Sequence, residues 1–178
     1  AEGAHVLDVC VAYVGRDENR DMQEILKRFN TQVTAPLMID STQPAVLEEA
    51  LKLVGGRAII NSINLEDGEE KFDRICELAL RFGAALVALT IDEQGMAKTV
   101  DRKLAVAERI FGRASRNGVS PDALLFDPLT FTIASGDEAS RTAGLETLNA
   151  IRLIKERVPR ARTILGLSNI SFGLKPYP

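Results

Sequence analysis

The stretch Thr163-Ile164-Leu165-Gly166-Leu167-Ser168-Asn169-Ile170-Ser171-Phe172-Gly173 decides the fold. It opens as a short apolar strand and stops at two small polar residues and a glycine-bounded turn. Core packing has no use for Ser168 and Asn169 there. The carboxyl end of a parallel strand, however, is where α/β folds present polar groups to a ligand. Working backwards, the same arrangement recurs along the whole chain.

Residues 5–11 (HVLDVCV) form a first strand carrying Asp8, and residues 36–40 (PLMID) a second ending in Asp40. The third is 57–64 (RAIINSIN), with Asn61 and Asn64, and the fourth 84–92 (AALVALTID), ending in Asp92. Residues 123–127 (ALLFD) give a fifth, closed by Pro128, and the opening stretch is the sixth. Helical spacing fills every gap. Met22, Ile25, Leu26 and Phe29 share one face over 21–30; Val46, Leu47, Ala50, Leu51 and Val54 share another. Ser41 or Thr42 caps that second helix, Pro44 lies in its first turn and Gly55-Gly56 closes it. Phe72, Ile75, Cys76 and Ala79 mark the third helix, and Leu104, Ala107, Ile110, Phe111 and Ala114 the fourth. The fifth turns Leu145, Leu148, Ile151, Ile154 and Val158 inward. Glu93 to Met96 and Leu129 to Gly136 are loops.

Strands that are nearly all apolar indicate a parallel sheet covered on both faces. Six strands fit an open doubly wound sheet or most of a TIM (β/α)8 barrel. The barrel is favoured because every strand, not only those at a switch point, ends in a polar residue. The chain also reads as cut at both ends, beginning at Ala1-Glu2-Gly3-Ala4 and stopping at Lys175-Pro176-Tyr177-Pro178. Restoring a strand and helix before, and a helix and strand after, gives about the 250 residues usual for this fold.

Composition excludes several function classes. With 46% apolar residues and a net charge of −3, the chain supports a core and lacks the basic field of a nucleic-acid binder. No apolar run nears the ~18 residues of a membrane span, and no signal peptide precedes the first strand. His5 is the only histidine, which rules out a His-based metal site or triad within this segment. Cys10 and Cys76 have no metal-like spacing and read as packing residues in a reducing, cytoplasmic setting. Lys98, Arg102 and Lys103 read as a solvated helix face.

What remains is a ring of strand-end groups: Asp8, Asp40, Asn61, Asn64, Asp92, Asp127, Ser168 and Asn169. Carboxylates accept hydrogen bonds from ring N–H and amino groups, while Asn both donates and accepts. Such a ring suits a neutral, nitrogen-rich heterocycle. A phosphate would instead need backbone N–H nests or cations, which this ring lacks. A strand-end Asp serves equally well as a helix cap, an alternative that stays open for Asp8 and Asp92. Asn61 also has a plainer use as a satisfied interior amide.

The blocks HVLDVCVAYVGRDENRDM, PLMIDSTQPAVLEEALK, GGRAIINSIN, VALTIDEQGMAKT, LLFDPLTFTIASG and LGLSNISFGL cover nearly the whole chain. They resemble the pterin-binding (methyltetrahydrofolate) domain of cobalamin-dependent methionine synthase. The resemblance implies a single pterin-binding barrel over 1–178, truncated at both ends, of the dihydropteroate synthase-like type. It implies 5-methyltetrahydrofolate as substrate, a cytoplasmic methyltransferase, and methyl transfer to cob(I)alamin on the way from homocysteine to methionine. Asp40, Asn61 and Asp127 would hold the pterin, and Asn169 would approach N5 as the catalytic group. Asp8, Asn64, Asp92 and Ser168 would support them, and no metal would be bound here. Cobalamin and zinc are expected on other domains, with the cobalamin-binding domain as partner and neither nucleic acid nor membrane involved. Relatives on the same scaffold leave alternatives: a methyltransferase feeding a corrinoid iron-sulfur protein, dihydropteroate synthase, or a binding-only pterin scaffold.

Overall fold

The computed structural model describes residues 3–136 and 141–174. Ala1-Glu2 and Lys175-Pro176-Tyr177-Pro178, the ends read as cut, fall outside the described residues. Eight strands are present there: β1 Leu7–Cys10, β2 Leu37–Asp40, β3 Ile59–Ile63, β4 Ala85–Leu89, β5 Ile91–Asp92, β6 Gly95–Met96, β7 Leu124–Asp127 and β8 Arg162–Thr163. The helices are α1 Glu18–Gln32, α2 Pro44–Leu53, α3 Glu69–Phe82, α4 Val100–Arg116 and α5 Ala143–Arg157.

Six strands pair in parallel in the order β1-β2-β3-β4-β7-β8, and β5 with β6 makes a separate antiparallel hairpin. A doubly wound sheet reverses its strand order at a switch point, whereas strands added in chain order are wound as in a barrel. Among the described residues the arc is open, since β1 and β8 each pair on one side only.

Alternation along each strand divides the side chains. Val9, Leu37, Ile39, Ile60, Leu86, Ala88, Leu124 and Phe126 join the helices in one buried core. The opposite, inner face carries Asp8, Cys10, Met38, Asp40, Asn61, Val87 and Asp127. Register places Cys10 beside Asp40, Asp40 beside Asn61 and Asn61 beside Val87, so one row crosses four strands. The ladder between β3 and β4 shifts after Asn61, where the Asn61–Ser62 peptide is cis.

Local chemistry sets the helix ends. Asp17 accepts from the amide of Arg20 at 3.1 Å and starts α1 earlier than the apolar stripe alone indicates. Gln43, not Ser41 or Thr42, occupies the N-cap position of α2 and makes no side-chain cap bond. Ser41 Oγ accepts from the Gln43 amide at 3.1 Å and donates to Glu18 at 2.5 Å. Gly83, at φ 65°, closes α3 in the left-handed conformation that glycine adopts without penalty.

Further expectations are corrected. The fourth strand does not run to Asp92. Thr90 turns its amide to Asp127 O, the chain leaves the sheet, and the expected loop at 93–96 closes the β5–β6 hairpin. The sixth strand is shorter than its apolar run. Its last ladder bond is from the Ile164 amide to Phe126 O, and Leu167–Ser171 then coils into a 3-10 helix. With a partner on one side only, the strand is not held further. On α5, Leu145 and Leu148 face solvent at 60% and 66% exposure, while Ala143, Thr147, Ala150 and Ile154 turn inward. Both stripes share Ile154 and Val158, so periodicity alone could not phase the first turns. Lys103 is buried rather than solvated, as described below.

Candidate functional site

The inner face of the parallel sheet borders an open cavity of about 340 Å³. Asp8, Asn61 and Asp127 line it from three strands, Met38 and Val87 supply apolar wall, and Gly166 borders it from the segment after β8. Asn61 hydrogen-bonds Asp8 and tends to lower its carboxyl pKa, but the surrounding protein, the larger effect, raises it. Asp40, half-buried next to Asn61 in register, is also raised, first by burial, then by the charges of Asp8 and Glu18 against a hydrogen bond with Cys10. Two carboxyls on neighbouring strands are therefore held above their ordinary range, and Asp127 on β7 is a third.

Asp127 is the most enclosed of them. Burial raises its carboxyl, opposed by the amides of Leu129 and Gly166 and by the charge of Lys103. The Leu129 amide lies 2.7 Å from Oδ1. Asp127 thus ties the turn after β7 to the segment after β8. Asn169 belongs to that second segment. Its amide Nδ2 lies so close over Gly166 that a Cβ there would meet it at 3.2 Å. Asn169 is exposed and packs against Gly166, which lines the cavity; Asn169 itself does not line it.

Other residues singled out in sequence go elsewhere. Asp92 is buried, and both its oxygens are taken, by Arg102, Arg109 and the Gln94 amide. Asn64 organises its own loop by accepting from the Glu66 and Asp67 amides at 2.9 and 3.1 Å. Ser168 is exposed, and its carbonyl accepts from Ser171. Cys76 is a core thiol, pushed up to about 12 by burial.

Two residues depart from the sequence reading. Cys10 is exposed on the inner face beside Asp40, not packed in the core. Its position two residues after Asp8 was the available signal. Lys103 lies fully buried behind Asp127, so a cation does stand near the ring. Its spacing from Val106, Ala107, Ile110 and Ala114 put it on the inward stripe of α4. A larger hollow, about 440 Å³, lies against α1, but there Arg16 is already bound to Asp21. Among the described residues no group of three His, Cys, Asp or Glu is arranged for a metal ion, and no helix is long and apolar enough to cross a membrane.

The chain is 53% identical over 178 residues to a methionine synthase of Mycobacterium leprae (strain TN) and 51% identical over 179 residues to that of Mycobacterium tuberculosis (strain ATCC 25618 / H37Rv). Each match covers 98% of this chain and 15% of the relative, so the chain spans about 15% of the length of these curated relatives. Among solved structures, a dihydropteroate synthase from Thermus thermophilus superposes with a TM-score of 0.66 at 25% identity, over 98% of this chain and 68% of that one. A dihydropteroate synthase from Xanthomonas albilineans in complex with 7,8-dihydropteroate gives 0.66 at 20% identity, over 94% and 59%. These likenesses fix the fold as the barrel type expected from the sequence. The sequence profile of the pterin binding enzymes matches residues 1–178, and the chain belongs to that family.

Proposed function

We propose that the chain binds 5-methyltetrahydrofolate and positions its N5-methyl group for transfer to cob(I)alamin, within methionine synthesis from homocysteine. The observation that carries this is the convergence of Asp8, Asn61 and Asp127 on one cavity, with Asp40 adjoining Asn61 in register. Carboxylates accept from the amino and ring N–H groups of a pterin, and the Asn61 amide supplies a donor and an acceptor. The likeness to methionine synthases selects the chemistry.

Asn169 is the group assigned to the reacting end. N5 is a poor leaving group unless it gains a proton or a strong hydrogen bond as its methyl departs. N5 takes up a proton from solvent before or as its methyl departs, and the Asn169 carbonyl accepts from that N5–H⁺, helping most where positive charge develops. The methyl carbon then leaves to the cobalt without the N5–C bonding pair, which stays on N5 and leaves a neutral N5–H. The acceptor would be carried by a cobalamin-binding domain, a partner outside these residues.

Dihydropteroate synthase is the competing reading, favoured by the solved structures. It is disfavoured by the cavity, since the residues lining it include no Lys or Arg to meet a diphosphate leaving group.

The test is anaerobic incubation of the full chain with methyltetrahydrofolate and free cob(I)alamin, following the cobalamin spectrum. Methylation of the cobalamin is expected. Asn169→Ala should slow it by at least about 30-fold, the effect of one lost charge-stabilising group, with a much smaller change in pterin affinity. Equal losses of rate and affinity would remove Asn169 from this role. Pterin binding without methylation would favour a synthase or a binding-only scaffold.

A further inference from the structure

Among the described residues, Lys103 is the one fully buried charged side chain that the proposed chemistry does not use. Its ammonium donates to the carbonyl of Pro128 and, at 2.9 Å, to that of Leu129, and lies 5.2 Å from the centroid of the Phe131 ring. An ammonium held by main-chain carbonyls in the interior is unfavourable for the fold. Burial accordingly lowers its pKa to about 8, against the opposing charges of Asp127 and Glu146.

The two carbonyls belong to the turn that serves Asp127. Leu129 has φ 58°, a left-handed conformation uncommon for a leucine. Its amide donates to Asp127 Oδ1 at 2.7 Å. Thr147 Oγ1 of α5 lies 2.8 Å from the same Leu129 carbonyl and 2.8 Å from that of Ala143, which share its one proton. The turn is thus pinned from α4 and α5 on one side and hydrogen-bonded to Asp127 on the other.

We propose that Lys103 is a positioning residue for the pterin site, holding the 127–129 turn so that the Asp127 carboxylate faces the cavity with one oxygen oriented by the Leu129 amide. This rests on the pterin reading of the site. The groups facing the ammonium are Asp127 from β7, Glu146 from α5 and Lys98, which stands 5.9 Å from the same Phe131 ring. The two carboxylates favour its charged form, and burial opposes it. As pH rises through about 8 the ammonium loses its proton, its hold on the carbonyls weakens, and pterin affinity should fall.

The experiment is the dissociation constant for 5-methyltetrahydrofolate between pH 6.5 and 9.5, by calorimetry, for the full chain and for Lys103→Met, with the urea midpoint of each. At pH 7 the variant should bind about ten-fold more weakly, with a urea midpoint no lower than that of the parent. Towards pH 9.5 the parent should lose affinity until the ratio approaches one. Ionisation of the ligand is common to both proteins and cancels in that ratio. Thr147→Val, which removes one pin and leaves the ammonium, should weaken binding less and keep the alkaline limb. A ratio near one at pH 7, or an elevated ratio that does not change with pH, would overturn the positioning role while leaving the pterin reading intact. Failure of the parent to bind pterin at any pH would overturn both.

Discussion

Asp92 and Asp127 close the fourth and fifth strand patterns of the chain in nearly the same words, TID and FDP, yet the fold uses them in opposite ways. Asp92 is buried and fully engaged, with Arg102 and Arg109 on its two oxygens and the Gln94 amide on one of them. Asp127 meets backbone amides only, while its nearby cation, Lys103, is engaged with the Pro128 and Leu129 carbonyls. One carboxylate has its charge answered inside the protein. The other is oriented by main-chain donors and left with charge to offer a ligand. A buried acid marks a binding site when the protein withholds a full counter-ion from it.

The largest expected effect tests that contrast directly. Asp127→Asn should weaken pterin binding by about 100-fold, the loss of a charge-assisted acceptor, and Asp92→Asn should leave affinity within about two-fold. Calorimetry on both variants decides it. Comparable losses would mean that Asp92 also serves the ligand and that the contrast fails.

Stability should move the other way. Asp92→Asn leaves two guanidinium groups without their buried partner and should destabilise the fold by about 2 kcal/mol in urea titration. Arg102 and Arg109 retain 31% and 50% exposure, so solvent screening holds the loss below that of a deep ion pair. Asp127→Asn removes a desolvated charge and should be neutral or stabilising. A large loss from Asp127→Asn would show that its bonds to the Leu129 and Gly166 amides hold the two loops together more than they orient a carboxylate.

Little of that contrast is visible in the sequence. Alternation and strand endings are local, so Asp8, Asp40, Asn61 and Asp127 could be named and placed on one face. Their roles depend on contacts made across the fold. Arg109 reaches Asp92 from 17 residues away and Lys103 reaches Pro128 from 25, distances no short motif spans. Chain-order winding of the sheet was legible from the repeated strand and helix pattern. The early halt of β8 was not, because it follows from having a ladder on one side only. Lys103 escapes the sequence for a different reason. Its place on the inward stripe was readable, but lysine is so rarely buried that composition outweighed periodicity.

The smallest effect concerns pH, and it separates the carboxyls on the inner sheet face from those bound by arginine. Asp21, Asp73 and Asp122 are held below their ordinary range, first by hydrogen bonds from Arg16, Arg113 and Arg160 respectively. Each contributes stability that is present above the unfolded pKa and lost as pH falls through the folded one. Asp8, Asp40 and Asp127 are raised instead, each principally by burial. Between the unfolded value of 3.8 and their raised folded values, the native protein binds more protons than the unfolded chain. These three therefore make the fold more stable as pH falls through that window, and less stable above it. Asp40→Asn removes one such charge, together with its repulsion from Asp8 and Glu18. Its urea midpoint should exceed that of the parent at pH 7, and the advantage should shrink on the acid side, where the parent protonates Asp40 itself. An advantage equal at both pH values would mean that the amide is simply better packed. A lower midpoint at pH 7 would mean that the ionised carboxylate is structurally satisfied, and Asp40 would then belong with Asp92 rather than with Asp127.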